Sequence, residues 1–388
     1  MKPLALGTDV LFDKDLLRGR RIGLVCNPAS VDARFRHVID RAAGAGVRIG
    51  ALFGPQHGIH SDVQENMIET PHGTDAARRV PVYSLYSETR EPTGAMLADL
   101  DALVIDLQDV GTRIYTYIYT MAYCLKAAAR TGLPVIVCDR PNPIGGTAVE
   151  GPMLEPGYES FVGLYPIPMR HGMTIGELAR LFNERFGLGA KLDVIPMQGW
   201  TRPTYFDGTG LPFVLPSPNI PTLESEIVYP GTVLFEGINV SEGRGTTKPF
   251  ELAGAPWVTD AESFARGLNA LGLPGVVFRP HAFEPTFHKH AGVLCGGCQI
   301  HVTDRETFRA VETGVALTTA FRDAGPDAFA WRDPPYEYEY TIPPIDILYG
   351  SDGLRRSMDA GRSARDIAEE WVEPVRAFEK IRNEYLLY

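Results

Sequence analysis

The chain has 388 residues, 44% of them hydrophobic and 22% charged, and a formal net charge of −11. Two domains are expected at this length, because a single core stops growing at roughly 250–300 residues. The acidic balance argues against nucleic acid, which calls for a basic patch, and against an anionic membrane surface, while a local arginine cluster still admits an anionic small substrate.

In chain order, residues 1–9 open like a signal peptide with Lys2 but reach Asp9 before an apolar run of seven develops. The expected location is therefore the cytoplasm, unless a leader has been trimmed. No later stretch approaches the roughly 20 apolar residues of a membrane span. Residues 21–26 read as a buried strand, followed by a helix over 34–45 and strands over 47–53, 81–85, 102–107 and 134–138. Ahead of the last strand, Ile114, Ile118, Ala122, Leu125 and Ala129 recur at helical spacing. Apolar strands alternating with helices imply an α/β fold, a Rossmann-like parallel sheet covered on both faces, assigned to residues 1–145.

The texture changes at Gly145-Gly146, and residues 146–388 read as a smaller mixed α/β domain. Thr174 and Glu177 form a capping box for a helix that aligns Ile175, Leu178 and Phe182. A strand over 192–196 follows. Residues 203–230 are rich in proline without periodicity and read as an ordered loop or short pieces. Thr259 with Glu262 and Ser363 with Asp366 mark later helix starts, and a last helix over 367–382 turns Trp371, Val375 and Phe378 inward.

Ligands of parallel sheets bind beyond the carboxyl ends of the strands. Three polar clusters follow strands here: Gly54-Pro55-Gln56-His57-Gly58, Gln108-Asp109-Val110-Gly111-Thr112-Arg113 and Asp139-Arg140-Pro141-Asn142-Pro143. Any one alone is a turn with a helix cap; three on one edge mark a site. No G-x-G-x-x-G follows the first strand and no Walker A sequence occurs, which weakens dehydrogenase and kinase readings. The five cysteines have no framework spacing. Cys295-Gly296-Gly297-Cys298 has His288, His290 and His301 nearby, but no second C-x-x-C or H-x-x-x-H completes a zinc set, and it reads as a glycine-rich turn at a strand entrance. Residues 241–250, Ser-Glu-Gly-Arg-Gly-Thr-Thr-Lys-Pro-Phe, crowd charges and hydroxyls between glycines. They read as a ligand-binding loop, the alternative being a solvated turn.

Taken together, segments 24–32, 53–58, 104–117, 139–146, 165–173, 215–222 and 235–250 resemble the bacterial exo-β-N-acetylmuramidases, glycoside hydrolases acting on peptidoglycan fragments. The resemblance covers nearly the whole chain, and 239–250 is its most specific run. It implies an active site in the cleft between a Rossmann-like N-terminal domain and a C-terminal α/β domain. It further implies release of N-acetylmuramic acid from the non-reducing end of a glycan or disaccharide, with no metal or nucleotide cofactor. One position departs from the family pattern: Gln56 stands where that pattern has glutamate before His57. An amide neither ionises nor usefully donates a proton at neutral pH. Another carboxylate then carries the role, or the specificity has diverged, or activity is lost. Glu65, nine residues on, is the nearest candidate.

Glycoside hydrolysis usually employs two carboxyl groups, one protonated and one ionised. Glu242 is the first choice, with support of Arg244 as its alternative role, and Asp109 or Glu65 supplies the second. His57 orients a carboxylate, binds a hydroxyl, or is a satisfied loop histidine. The lactyl carboxylate of muramic acid matches an arginine fork, for which Arg113, Arg140 and Arg244 are the supply, against ordinary interdomain ion pairs. Asn219 suits a hydroxyl or acetamide, and His171 is structural or faces substrate. Tyr115 and Tyr119 share a helical face, with core packing the default for at least one. The partner is a small-molecule or oligosaccharide substrate. Two other functions stay open: a non-catalytic amino-sugar-binding or sensing protein of the same fold, and a hydrolase for another acidic or acetylated amino sugar.

Overall fold

The computed structural model describes residues 4–65 and 67–388. Six early strands form most of one sheet: β1 (Arg21–Cys26), β2 (Arg48–Gly54), β3 (Gly73–Asp75), β4 (Val80–Ser84), β5 (Ala102–Asp106) and β6 (Val135–Cys138). After a two-stranded antiparallel ribbon of β7 (Glu150–Met153) and β8 (Pro168–Arg170), β9 (Leu192–Ile195) completes the sheet in the order β3-β4-β2-β1-β5-β6-β9. All neighbours pair in parallel except β3, the edge strand, which runs antiparallel to β4.

Alternation along each strand divides the apolar side chains between two cores. Leu103 and Ile105 of β5 face one core, with Ile118 and Leu125 of α4 (Tyr117–Thr131) and Leu178 and Phe182 of α5 (Ile175–Arg185). Val104 faces the other, with Val10 of α1 (Gly7–Asp13) and Val38 of α2 (Val38–Gly44); a short α3 (Gly94–Leu97) packs on α4. The expected parallel sheet is thus covered on both faces. Its seventh strand comes from beyond residue 145, so a domain boundary at 145 would divide the sheet. Periodicity sees that β9 is a strand but not that its edge partner is β6.

The remainder builds a second unit around an antiparallel sheet, β10 (Leu252–Ala255), β12 (Cys295–Val302) and β11 (Val276–Phe283), in that spatial order. Helices α6 (Leu223–Thr232) and α7 (Ala261–Ala270) pack on it and α8 (Ala310–Ala324) packs on α6, followed by α9 (Pro344–Tyr349), α10 (Gly353–Asp359), α11 (Ala364–Glu369) and α12 (Val372–Arg382).

Several local expectations are corrected here. The end of the proline-rich stretch 203–230, read as an ordered loop or short pieces, runs into the helix α6: Thr222 caps it by accepting from Ser225 N–H, and Pro230 lies in its last turn. Gly231 and Gly314 let α6 and α8 touch, since a Cβ at Gly231 would meet the Ala310 carbonyl at 1.9 Å. Cys295 to Cys298 are not a turn but part of β12, and all five cysteines are buried and free. A Cβ at Gly297 would meet the Ala253 carbonyl at 2.0 Å, so glycine there serves strand packing. Asp260, not Thr259, caps α7, and the last helix is two, α11 and α12, split at Glu370 and Trp371. The Thr174–Glu177 and Ser363–Asp366 capping boxes form as expected. Among the described residues no helix is long and apolar enough to cross a membrane, and no group of three or more His, Cys, Asp or Glu could hold a metal ion.

Candidate active site

Because β1 lies between β2 and β5, the loops leaving those two strands flank it at the carboxyl edge, where strand order reverses. Gln56 and His57 from the first loop and Tyr115 and Thr116 from the second line a pocket there. Ser217 and Asn219 join them, their segment pinned where the Pro216 carbonyl accepts from Asn27 Nδ2 (3.0 Å) and Tyr117 OH (2.8 Å). The second unit closes the opposite side with Glu236, Arg244, Phe250, Tyr336 and Glu337. The pocket volume is about 40 Å³, below the roughly 300–1,000 Å³ of a typical ligand site.

Two carboxylates face this pocket, and the sequence reading singled out neither. Glu236 sits in the single 3₁₀ turn Val233–Gly237 that follows α6. Its Oε1 accepts from Arg244 Nη2 at 2.7 Å and its Oε2 from Tyr336 OH at 2.5 Å. Glu337 has a left-handed backbone (φ +45°), as does Tyr338 (φ +68°), a strain of about 1–3 kcal/mol per residue that tends to gather at functional sites. Arg90 steadies this bend, with its guanidinium over the rings of Tyr86 and Tyr338 at 4.2 and 4.3 Å. Glu337 Oε1 accepts from Gln56 Nε2 at 3.1 Å and Oε2 from Tyr86 OH at 2.7 Å.

The two environments differ in charge. Glu236 is paired with a guanidinium, whereas Glu337 receives only neutral donors. Burial, reinforced by the Glu236 charge, pushes Glu337 up to about 7 against the opposing hydrogen bonds from Tyr86 and Gln56. Burial opposes the charge of Arg244, yet Glu236 and Glu242 hold its pKa above the ordinary value. Burial, with some help from Arg244, pushes His57 down to about 4, so its ring is neutral. Its Nδ1 lies 2.7 Å from the Val63 carbonyl, which can only accept, so Nδ1 carries the proton and Nε2 keeps a lone pair.

The residues singled out from sequence divide into two sets. Gln56, His57, Tyr115, Asn219 and Arg244 line the pocket. Tyr115 precedes α4 rather than lying within it, so it does not share a helical face with Tyr119, which stacks on Phe182. Asn219 exchanges hydrogen bonds with Gln64.

The others lie elsewhere. Glu242 is fully buried behind Arg244, in a cluster with Lys289 Nζ (2.5 Å), His288 Nδ1 (3.2 Å) and Arg244 Nη1 (3.4 Å). Burial would raise its carboxyl, but Lys289, His288 and Arg244 outweigh it and hold the group well below the usual range. Asp109 accepts from Gly111 N–H at 2.9 Å and lies 3.2 Å from Nε2 of the fully buried His171. Arg113 donates from Nη2 to the carbonyls of Leu348 and Tyr349, at the end of α9. Arg140 forms a buried fork with Asp106 at 2.6 and 3.0 Å. Glu65 is exposed and is not among the lining residues. Arg140 thus makes the ordinary ion pair weighed against substrate binding, while Arg113 is tied to the carbonyls at the end of α9, and neither is among the lining residues. The overlooked carboxylates did leave a trace: Glu236 is the one charge between Val233 and Ser241, and Glu337 sits in the alternating Tyr336-Glu337-Tyr338-Glu339-Tyr340.

The comparisons agree with this architecture. A family model described as exo-β-N-acetylmuramidase NamZ, N-terminal, matches residues 22–224, and its C-terminal counterpart matches 227–388. The two meet after β9, beyond the complete sheet. Peptidoglycan β-N-acetylmuramidase NamZ of Bacillus subtilis (strain 168) is 49% identical over 385 residues, covering 98% of this chain and 91% of that protein. Two crystal structures of DUF1343 family proteins from Bacteroides fragilis NCTC 9343 are also similar. One has a TM-score of 0.90 at 35% identity and full coverage of both chains; the other has 0.79 at 29%, covering 100% of this chain and 99% of its own. With both halves matched in sequence and the whole fold matched in space, the chain belongs to the exo-β-N-acetylmuramidase family.

Proposed function

We propose that this protein is an exo-acting glycoside hydrolase that releases N-acetylmuramic acid from the non-reducing end of peptidoglycan-derived glycans or disaccharides, with Glu337 as general acid and Glu236 as the ionised carboxylate. The observation that carries the assignment is the contrast between two carboxyls on one pocket: Glu337 is pushed up to about 7, and Glu236 faces Arg244 at 2.7 Å. A carboxyl kept protonated, beside a second one held by a guanidinium, divides acid and base work in this way. The activity in the name of the Bacillus subtilis relative supports the substrate class.

In this reading Glu337 gives its proton to the glycosidic oxygen as the bond breaks. Glu236, oriented by Arg244 and Tyr336, meets the positive charge that develops on the sugar ring. It then serves either as nucleophile or as base for water, and the anomeric form of the first product separates the two. Of Arg113, Arg140 and Arg244, only Arg244 reaches the pocket, and it is the one suited to the lactyl carboxylate. His57 Nε2 accepts from a sugar hydroxyl. Glu242 supports Arg244 from behind. Gln56 is a neutral donor to Glu337 and performs no proton transfer itself.

The test is turnover of chromogenic N-acetylmuramide and N-acetylglucosaminide by the wild type, Glu337→Gln and Glu236→Gln. Preference for the muramide and a loss of at least ~10²-fold in each variant are expected. Equal turnover of both sugars overturns the substrate assignment, and wild-type-like turnover in either variant overturns that residue's role. Binding without any turnover in the wild type returns the chain to the sensing alternative.

A further inference from the structure

Three consecutive side chains outside the pocket, His288, Lys289 and His290, reach one short segment that carries Glu236 and runs on to Arg244. His288 Nδ1 lies 3.2 Å from Glu242 Oε1. Lys289 Nζ lies 2.5 Å from Glu242 Oε2 and donates to the carbonyls of Phe235 (2.6 Å), Ile238 (3.2 Å) and Val240 (2.6 Å). His290 Nε2 meets the Asn239 carbonyl at 2.5 Å. Aiming three successive side chains the same way bends the backbone: φ is +68° at His288 and +58° at His290, a region L residues rarely adopt. Thr286 fixes the base of the loop, donating its N–H and its hydroxyl to the Gly245 carbonyl, both at 2.9 Å.

None of the three lines the pocket, and core packing alone would be better served by an apolar side chain than by a desolvated ammonium. The charge has a specific use here. Lys289, Glu242, Arg244 and Glu236 form a row of alternating sign, in which Glu242 takes Arg244 Nη1 at 3.4 Å and leaves Nη2 for Glu236 at 2.7 Å. The same ammonium ties down the carbonyl of Phe235, the residue before Glu236.

We propose that Lys289, flanked by His288 and His290, is a positioning residue that sets the spacing between Glu236 and Arg244, by holding both the turn behind the first and the anion behind the second. The inference rests on Glu236 being the ionised carboxylate of the reaction. Without the ammonium, Glu242 loses its nearest cation and draws Arg244 toward itself, away from Glu236.

The test is a double-mutant cycle of Lys289→Met and Glu236→Gln on the full chain, with kcat on the N-acetylmuramide and the folded fraction by circular dichroism. Per folded molecule, Lys289→Met is expected to lower kcat about 10²-fold in the wild-type background, the scale of a misplaced catalytic group. In the Glu236→Gln background it lowers kcat less than about threefold, because the group it positions is already gone. Equal losses in both backgrounds, or wild-type kcat in Lys289→Met, overturn the proposal. If Lys289→Met unfolds, Lys289→Gln, which keeps a donor to the backbone carbonyls but no charge beside Glu242, replaces it in the same cycle with the same two outcomes. Wild-type turnover in Glu236→Gln alone defeats the catalytic assignment, whereas an impaired Glu236→Gln beside a fully active Lys289→Met defeats only the positioning role.

Discussion

Gln56 donates from Nε2 to Glu337 Oε1 at 3.1 Å, joining residues 281 positions apart across the two halves of the molecule. The amide is held in register because Thr116 Oγ1 donates to its Oε1 at 2.7 Å. A carboxylate at position 56 would face Glu337 at the same distance, and two such groups cannot both ionise. Gln56 thus leaves Glu337 as the one carboxyl of this contact, with a neutral neighbour in place of a second charge.

The first prediction concerns the pH–rate profile. If Glu337 acts as a general acid, kcat/KM on the N-acetylmuramide falls as pH rises through about 7, where its proton is lost. Stopped assays across pH 5–9 measure this. A profile flat to pH 9 would remove Glu337 from the role.

Gln56→Glu tests the same contact from the other side. The new carboxyl and Glu337 share protons as a pair, and the upper macroscopic step moves above 7 by about one unit or more. The alkaline limb of kcat/KM should move up with it, and an unchanged limb would show that Gln56 and Glu337 are not electrostatically coupled.

Stability should also depend on pH through Glu337. Its pKa is raised from 4.5 to about 7 on folding, so the native state holds the proton more tightly than the unfolded chain. The stabilising contribution is fully present below about 4.5 and is lost as pH rises through about 7. Glu337→Gln lacks this dependence, so its unfolding free energy relative to the wild type should improve by about 1–3 kcal/mol between pH 4.5 and 8. Asp139, pushed up to about 7 by burial and then by Glu177, adds a parallel slope that Asp139→Asn removes. Urea titrations at the two pH values provide the measurement, and a pH-independent difference for both variants would be the contrary result.

Arg113 and Arg244 should separate cleanly. Arg113→Met removes two hydrogen bonds from a charged donor to the end of α9, at about 1.5–3 kcal/mol each. It lowers Tm while leaving KM of the folded fraction near the wild-type value. Arg244→Lys loses the planar fork and raises KM for the muramide far more than for the glucosaminide. Finding the reverse pattern would exchange the two assignments.

Much of the fold was legible in the sequence because its signals are local. The apolar runs of β1, β5 and β6, the Thr174 and Ser363 capping boxes, and the polar clusters after strands each depend on neighbours within a few positions. Gln56, His57 and Arg244, which line the pocket, stand in polar clusters that differ from the apolar runs beside them and so are visible in the same local way. Partnership was not legible. Arg113, Arg140 and Arg244 look alike as letters, and only the packed structure gives the first to a helix end, the second to Asp106 and the third to the pocket. The same holds for carboxylates. Glu242 stands in the most conspicuous loop but lies behind Arg244 among cations, while Glu236 and Glu337, one in an apolar run and the other in a tyrosine-rich one, reach the pocket. The sequence by itself determined which segments form strands and helices and which loops are polar. Tertiary structure decided which charge faces which, because protonation and binding depend on distances of a few ångströms between residues hundreds of positions apart.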